Sequence, residues 1–332
     1  MTTAARRRIT PERPPHPWPA RLAVALLCGG SIAALLADLY GVAPMHAVFW
    51  LVSVPAMAVL ALLPALPGVG ADLRARIRVG AVAGALGTLG YDLARIPFAL
   101  AGLRVFAPVE TYGILVADAS ASSALTTTLG WLYHLSNGVT FGIAYAVLAA
   151  RRPWPWGVGW GLLLETVAIL GPFATRYGLS GHPVPIVIAY GAHVCYGWPV
   201  GRLAQNLDAT DAALRRMGRH SVAVILVLAV AAVVLWHRPW QVSAPERAAA
   251  ALSRGGPPVT VVRVDRFRPE WLRIRTGGCV LVDNRSARSY ATPAGTVPAR
   301  ARGTLCFDRP GVYRIRLGTH PYSGGFVYVD AG

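Results

Sequence analysis

Ser221-Val222-Ala223-Val224-Ile225-Leu226-Val227-Leu228-Ala229-Val230-Ala231-Ala232-Val233-Val234-Leu235-Trp236 closes a series of seven long apolar runs that begins at Leu22. Beyond it the chain changes character. Trp271-Leu272-Arg273-Ile274-Arg275 and Tyr313-Arg314-Ile315-Arg316-Leu317 alternate apolar and basic residues, as a half-buried strand requires. Gly277-Gly278 and Pro310-Gly311 supply turns between such strands. The reading is an α-helical polytopic membrane bundle followed by a small all-β sandwich.

Composition points the same way. The chain is 54% hydrophobic and only 14% charged, whereas soluble proteins carry about a quarter charged residues. A span needs roughly 20 apolar residues. This places spans near 22–42, 46–67, 79–102, 124–150, 155–173, 184–203 and 221–236. The division that follows is a basic cytoplasmic N-terminus over 1–21, a seven-span domain over 22–236, a linker over 237–257 and an external domain over 258–332. A signal peptide is the other reading of the first run, but the run exceeds a typical apolar core and no small-x-small cleavage site follows it.

The net charge of +17 comes entirely from arginine, because the chain has no lysine. That bias reads as coding composition, not as a nucleic-acid partner. The positions of the arginines carry the information. They cluster before the first run (Arg6, Arg7, Arg8, Arg13, Arg21), at Arg74, Arg76 and Arg78, at Arg151 and Arg152, and at Arg202, Arg215, Arg216 and Arg219. Alternate loops are thus basic. The positive-inside rule puts the N-terminus in the cytoplasm and the C-terminal domain outside, in the cytoplasmic membrane.

Ionisable groups inside spans are costly and usually face the bundle interior. Four places stand out: Tyr91 and Asp92 with Arg95, His134 with Asn137, Glu165, and His193 with Cys195. His134, Glu165 and His193 each lie about 10 residues from a span end, on the order of 15 Å deep. Two readings stand here. One is interhelical hydrogen bonding, with Asp92 and Arg95 as an internal pair. The other is a site for a divalent metal, haem or a proton relay. Glycines at Gly80, Gly84, Gly87, Gly90, Gly157 and Gly161 predict close helix contacts. No nucleotide-binding loop, HExxH motif or GxSxG elbow occurs, so the motifs give no enzyme class.

In the C-terminal segment, Phe267, Pro269, Leu272, Ile274, Gly277, Val280, Val282 and Asn284 are followed by Phe307, Pro310, Gly311, Tyr313, His320, Pro321, Gly325 and Val327. In order and spacing this run resembles the cupredoxins, the plastocyanin, amicyanin and azurin group. The resemblance covers about residues 258–331 and implies a sandwich with a copper site of two His, one Cys and an axial Met. Carried over, the first His position holds Tyr290, the Cys position Leu317, the second His position His320 and the Met position Ser323. The expectation is a degenerate site without type 1 copper. The resemblance also makes the strands of Cys279 and Cys306 neighbours, which implies a disulfide. It further suggests a role in metal handling or respiratory-complex assembly.

The expected function is an integral membrane protein presenting an external, cupredoxin-like binding domain. The alternatives are a redox, metal or haem protein built on the intramembrane His/Glu residues, or a transporter using Asp92, Arg95 and Glu165. Arg273, Arg275, Arg314 and Arg316 point away from the strand core and would face solvent, anionic headgroups or an acidic protein partner.

Overall fold

The computed structural model describes residues 18–103, 105–177, 179, 182–217, 259–263, 266–292, 295–317 and 320–331. The side chains of Leu317, His320 and Ser323 lie outside that description, as do the seventh apolar run at 221–236 and the 237–257 linker.

The other six apolar runs are helical. Helix α1 covers Trp18–Leu39. A continuous rod over Met45–Ala65 joins α2 (Met45–Val48), a π turn at Phe49–Ser53, α3 (Val54–Leu62) and a 3-10 end. Then come α4 (Ala71–Leu100), α6 (Ala124–Ala149), α7 (Pro155–Leu170) and α9 (Pro183–Gln205). Among the described residues, α1 and the Met45–Ala65 rod are the two helices long and apolar enough to cross a membrane. The others carry more polar groups or fewer residues: α4 holds Asp72, Arg74, Arg76, Arg78, Asp92 and Arg95, and α7 has 16 residues.

Glycine sets two close helix crossings. Gly80 and Gly84 of α4 meet Gly138, Gly142 and Ile143 of α6, and a Cβ on Gly80 would stand 2.6 Å from Ile143 Cα. Gly157 and Gly161 of α7 lie on the backbone of His193, Gly197 and Gly201 in α9. Small residues let the two backbones touch.

Arginines from separate segments converge on shared carboxylates at one end of the helices. Asp72 pairs with Arg21, Arg76 and Arg151. Asp208 takes Arg151, and Asp211 takes Arg78 and Arg215.

Between α4 and α6 lies a helix that the apolar runs do not mark, α5 (Ala107–Val116). Eight of its ten residues are buried. Its Gly113 packs against the Thr126 backbone and Gly130 of α6. The five-residue α8 (Pro172–Arg176) follows α7.

The C-terminal region is β structure with mixed sheets. The strands are β1 Val259–Arg263, β2 Arg266–Arg268, β3 Trp271–Arg275, β4 Cys279–Asn284, β5 Tyr290–Thr292, β6 Gly295–Val297, β7 Arg302–Cys306, β8 Gly311–Leu317 and β9 His320–Asp330. One sheet has the order β2-β1-β4-β7 and the other β3-β9-β8, with β5 paired to β6. Val262, Phe267, Val280, Val282 and Leu305 share one core with Ile274, Ile315, Val327 and Val329 from the second sheet. Alternation along β3 and β4 turns one face of each inward.

The expected solvent-facing arginines need correcting. Arg314 is 1% exposed and reaches Asp118 Oδ1 at 3.1 Å. Arg316 meets the same carboxylate at 2.7 Å. Arg273 holds Asp330 at 2.6 Å, and Arg275 alone of the four is exposed. Strand alternation locates a face; here a second part of the same chain covers it.

Candidate functional site

Four helices bring the ionisable residues together. Helix α4 contributes Tyr91, Asp92 and Arg95 within about one turn. Helix α6 presents His134 and Asn137, α7 contributes Glu165, and α9 contributes His193. Gly161 sits one turn before Glu165 and rests on the His193 carbonyl, so α7 and α9 approach closely enough for their side chains to pair.

The polar groups form two His–carboxylate pairs. His134 Nε2 lies 3.0 Å from Asp92 Oδ1. His193 Nδ1 lies 3.1 Å from Glu165 Oε2 and 2.9 Å from the Ala189 carbonyl. Arg95 Nη1 stands 3.9 Å from Asp92 Oδ1, and its guanidinium lies 4.7 Å over the Tyr91 ring and 4.6 Å over Phe106. A cation held between two rings keeps favourable electrostatics without water. Tyr91 links the pairs, with ring centroids 5.7 Å from His134 and 4.8 Å from His193. Glu165, Arg95 and Asn137 are all buried. Glu165 Oε1 has no hydrogen-bond partner among the described residues.

These groups border a cavity of about 550 Å³. His134, Asn137, Glu165, His193 and Arg95 line it, with apolar walls from α1, α6, α7 and α9. Tyr112, Phe173, Tyr177 and Trp271 also line it, and Trp271 belongs to the β region. Among the described residues no group of three or more His, Cys, Asp or Glu could hold a metal ion. The geometry can donate and accept hydrogen bonds to a guest in an otherwise apolar space.

The β region is docked onto the helices around this cavity. Val312, Phe326 and Tyr328 enter one apolar cluster with Leu35, Leu39, Met45, Tyr112 and Tyr133. Arg176 bridges the two parts, reaching Asp38 Oδ1 at 2.5 Å and Glu270 Oε2 at 3.1 Å, with all three side chains at most 8% exposed. Burial works against the Arg176 charge, but the Asp38 and Glu270 carboxylates overcome it and raise its pKa. For Arg314 burial prevails and lowers the pKa, against the pull of Asp38 and Asp118.

Residues 120–122 also extend the sheet. The Arg314 amide donates to the Ser120 carbonyl at 2.8 Å, and the Ser122 amide donates to the Val312 carbonyl at 2.8 Å. Ala121 pairs with Tyr313 across this junction. An exposed strand edge is thereby covered by the chain itself. Asp38, Asp118, Arg176 and Glu270 had no signal in the sequence as a set. Asp38, Asp118 and Arg176 are isolated charges in their own segments, and Glu270 lies among Arg266, Arg268, Arg273 and Arg275.

Of the positions implied by the cupredoxin resemblance, Tyr290 is 1% exposed and part of the β core. Leu317 and His320 are backbone partners in the pairing of β8 with β9; their side chains, and that of Ser323, lie outside the described residues. Cys279 and Cys306 form a disulfide between directly paired positions of β4 and β7. Asn284 gathers the following loop, donating to the carbonyls of Arg288 and Pro298 at 2.8 Å while its Oδ1 accepts from Ser286.

No family model matches the chain, and no curated protein matches it. Among solved structures the chain is similar to amicyanin from Paracoccus versutus, at 18% identity and TM-score 0.21, over 25% of this chain and 89% of that one. It is likewise similar to a copper(I) form of an amicyanin methionine variant, at 23% identity and TM-score 0.21, over 25% of this chain and 90% of that one.

Proposed function

We propose that the chain is a multi-pass membrane protein that binds a small lipid-soluble molecule within its helical bundle. In this reading the C-terminal region is a cupredoxin-like sandwich that caps the cavity from outside and holds no type 1 copper. The observation that carries the reading is the cavity of about 550 Å³, apolar in its walls and bordered by half-buried His134 and His193 and by buried Glu165 and Arg95. That size lies within the range of small-molecule sites, where a few placed polar groups orient a ligand in an apolar enclosure.

Membrane embedding of all the long helices is supported by their outer faces. Leu86, Leu89 and Leu93 of α4, Leu125 and Leu132 of α6, Leu163, Val167 and Leu170 of α7, and Val187 and Trp198 of α9 are exposed. Apolar exposure on that scale suits lipid better than water. Orientation is supported by the arginines paired through Asp72, Asp208 and Asp211, which belong to the loops expected inside.

Against copper stands the donor set. Both cysteines of the β region are taken up in the disulfide, and after residue 258 the chain has one His and no Met. Tyr290 fills core space where a His ligand would stand. A role in metal handling or respiratory-complex assembly rests on the resemblance alone. An acidic partner or anionic headgroups would have to dock on exposed arginines such as Arg275, because Asp118 already holds Arg314 and Arg316.

Native mass spectrometry of the full-length protein extracted in mild detergent tests the reading. A retained small amphiphile is expected, and it should be lost in Ala189→Phe, which adds a ring to the cavity wall. Retention undiminished in Ala189→Phe would place the molecule elsewhere and remove the reading.

A further inference from the structure

The position of the cavity mouth and the charge inside the cavity narrow the ligand. Leu36 and Tyr40 of α1 and Leu163 and Val167 of α7 line the cavity, and the same four residues are 40%, 60%, 52% and 61% exposed. They therefore stand at its opening, on the outer apolar surface of the helices. A guest enters there from lipid, and an alkyl or prenyl tail can remain between α1 and α7 while the head sits inside.

Arg95 lies 3.9 Å from Asp92 and over the rings of Tyr91 and Phe106. Asp92 is shared with His134, and Glu165 with His193. An anionic head would stand beside two carboxylates and one guanidinium, in a space where unbalanced charge is expensive. A neutral head avoids that cost. Each imidazole has one nitrogen engaged, His134 through Nε2 and His193 through Nδ1, and its second nitrogen has no hydrogen-bond partner among the described residues. Both rings pack against Tyr91, with centroids 5.7 Å and 4.8 Å from it. Two hydrogen-bonding nitrogens beside one aromatic ring suit a ligand that carries two hydroxyls on a flat, apolar body.

We propose that the cavity binds a lipid-soluble quinol, with its two hydroxyls directed to His134 and His193, its ring beside Tyr91 and its tail leaving between α1 and α7. The proposal rests on the cavity reading above and deepens it by naming the ligand class. It concerns binding only.

The test is calorimetric titration of the full-length protein in detergent with three probes of matched chain length: an alkyl benzoquinol kept reduced, its dimethyl ether and the corresponding fatty acid. Saturable one-to-one binding of the quinol is expected, with the dimethyl ether and the fatty acid each at least tenfold weaker. His134→Leu and His193→Leu should weaken the quinol by a similar factor. Equal affinity for quinol and dimethyl ether overturns the proposal, whether or not the His variants fold, because the ether keeps ring and tail and loses only the O–H donors. Fatty acid bound as well as or better than quinol also overturns it, while leaving a lipid-ligand cavity in place. Failure of all three probes to bind overturns the quinol and counts against the cavity reading itself.

Discussion

At the residue scale, the most exacting position is Arg176. It lies between Asp38 and Glu270 with little access to water. An ion pair this buried gains little over apolar packing when intact, yet removing one partner leaves uncompensated charge. Arg176→Met should therefore cost about 3–5 kcal/mol and loosen the β region, read as a lower melting temperature and faster amide exchange along β3 and β9. The disulfide acts separately. Cys279 and Cys306 close a segment with sequence separation 27, and replacing both by Ser should destabilise the β region by about 2–4 kcal/mol. A reductant should reproduce that shift in the wild type and leave the double variant unchanged. If the disulfide-free protein instead melted like the wild type, the bridge would be incidental to the fold.

At the scale of elements, the α4–α6 crossing is made by glycine faces. Gly84→Leu would place a side chain where the Gly138 carbonyl and Val139 now stand. Overpacking costs typically about 1–3 kcal/mol, occasionally more. Here there is backbone on the far side and little room to yield, so the variant should yield little folded protein in detergent while Gly84→Ala is impaired less. These helices were legible because long apolar runs and Arg-rich loops mark them directly. The strands at Trp271 and Tyr313 were legible from alternation. Helix α5 was not, because a ten-residue stretch that includes Glu110 and Thr111 and lies outside any span-length run resembles loop as much as helix, and its identity comes from Gly113 fitting against α6. The depth argument singled out His134, Glu165 and His193, and the structure places all three at one cavity. It gave no warning that His134 would pair with Asp92, since pairing depends on how neighbouring helices are rotated. The docking charges were illegible for a similar reason. Asp118 meets Arg314 and Arg316 across almost 200 residues, and no local pattern encodes such a meeting.

At the scale of the whole molecule, the proposed function seats the β region over a cavity in a membrane-embedded bundle, on the side opposite the paired arginines. Reporter fusions near residue 75 and at the C-terminus should fall in opposite compartments. Copper added to the full-length protein should produce no intense blue thiolate band, because neither Cys279 nor Cys306 offers a free thiol. The docked geometry itself is most directly tested at the junction where Ala121 pairs with Tyr313. The flanking amide bonds make this a non-hydrogen-bonded antiparallel pair, with Cα atoms about 4.5 Å apart and side chains directed at each other. The double variant Ala121→Cys, Tyr313→Cys should therefore form an intramolecular disulfide in intact cells treated with a membrane-impermeant oxidant, seen as linked peptides by mass spectrometry. No link under those conditions, or a link that appears only after the cells are permeabilised, would contradict the docked, outward-facing cap.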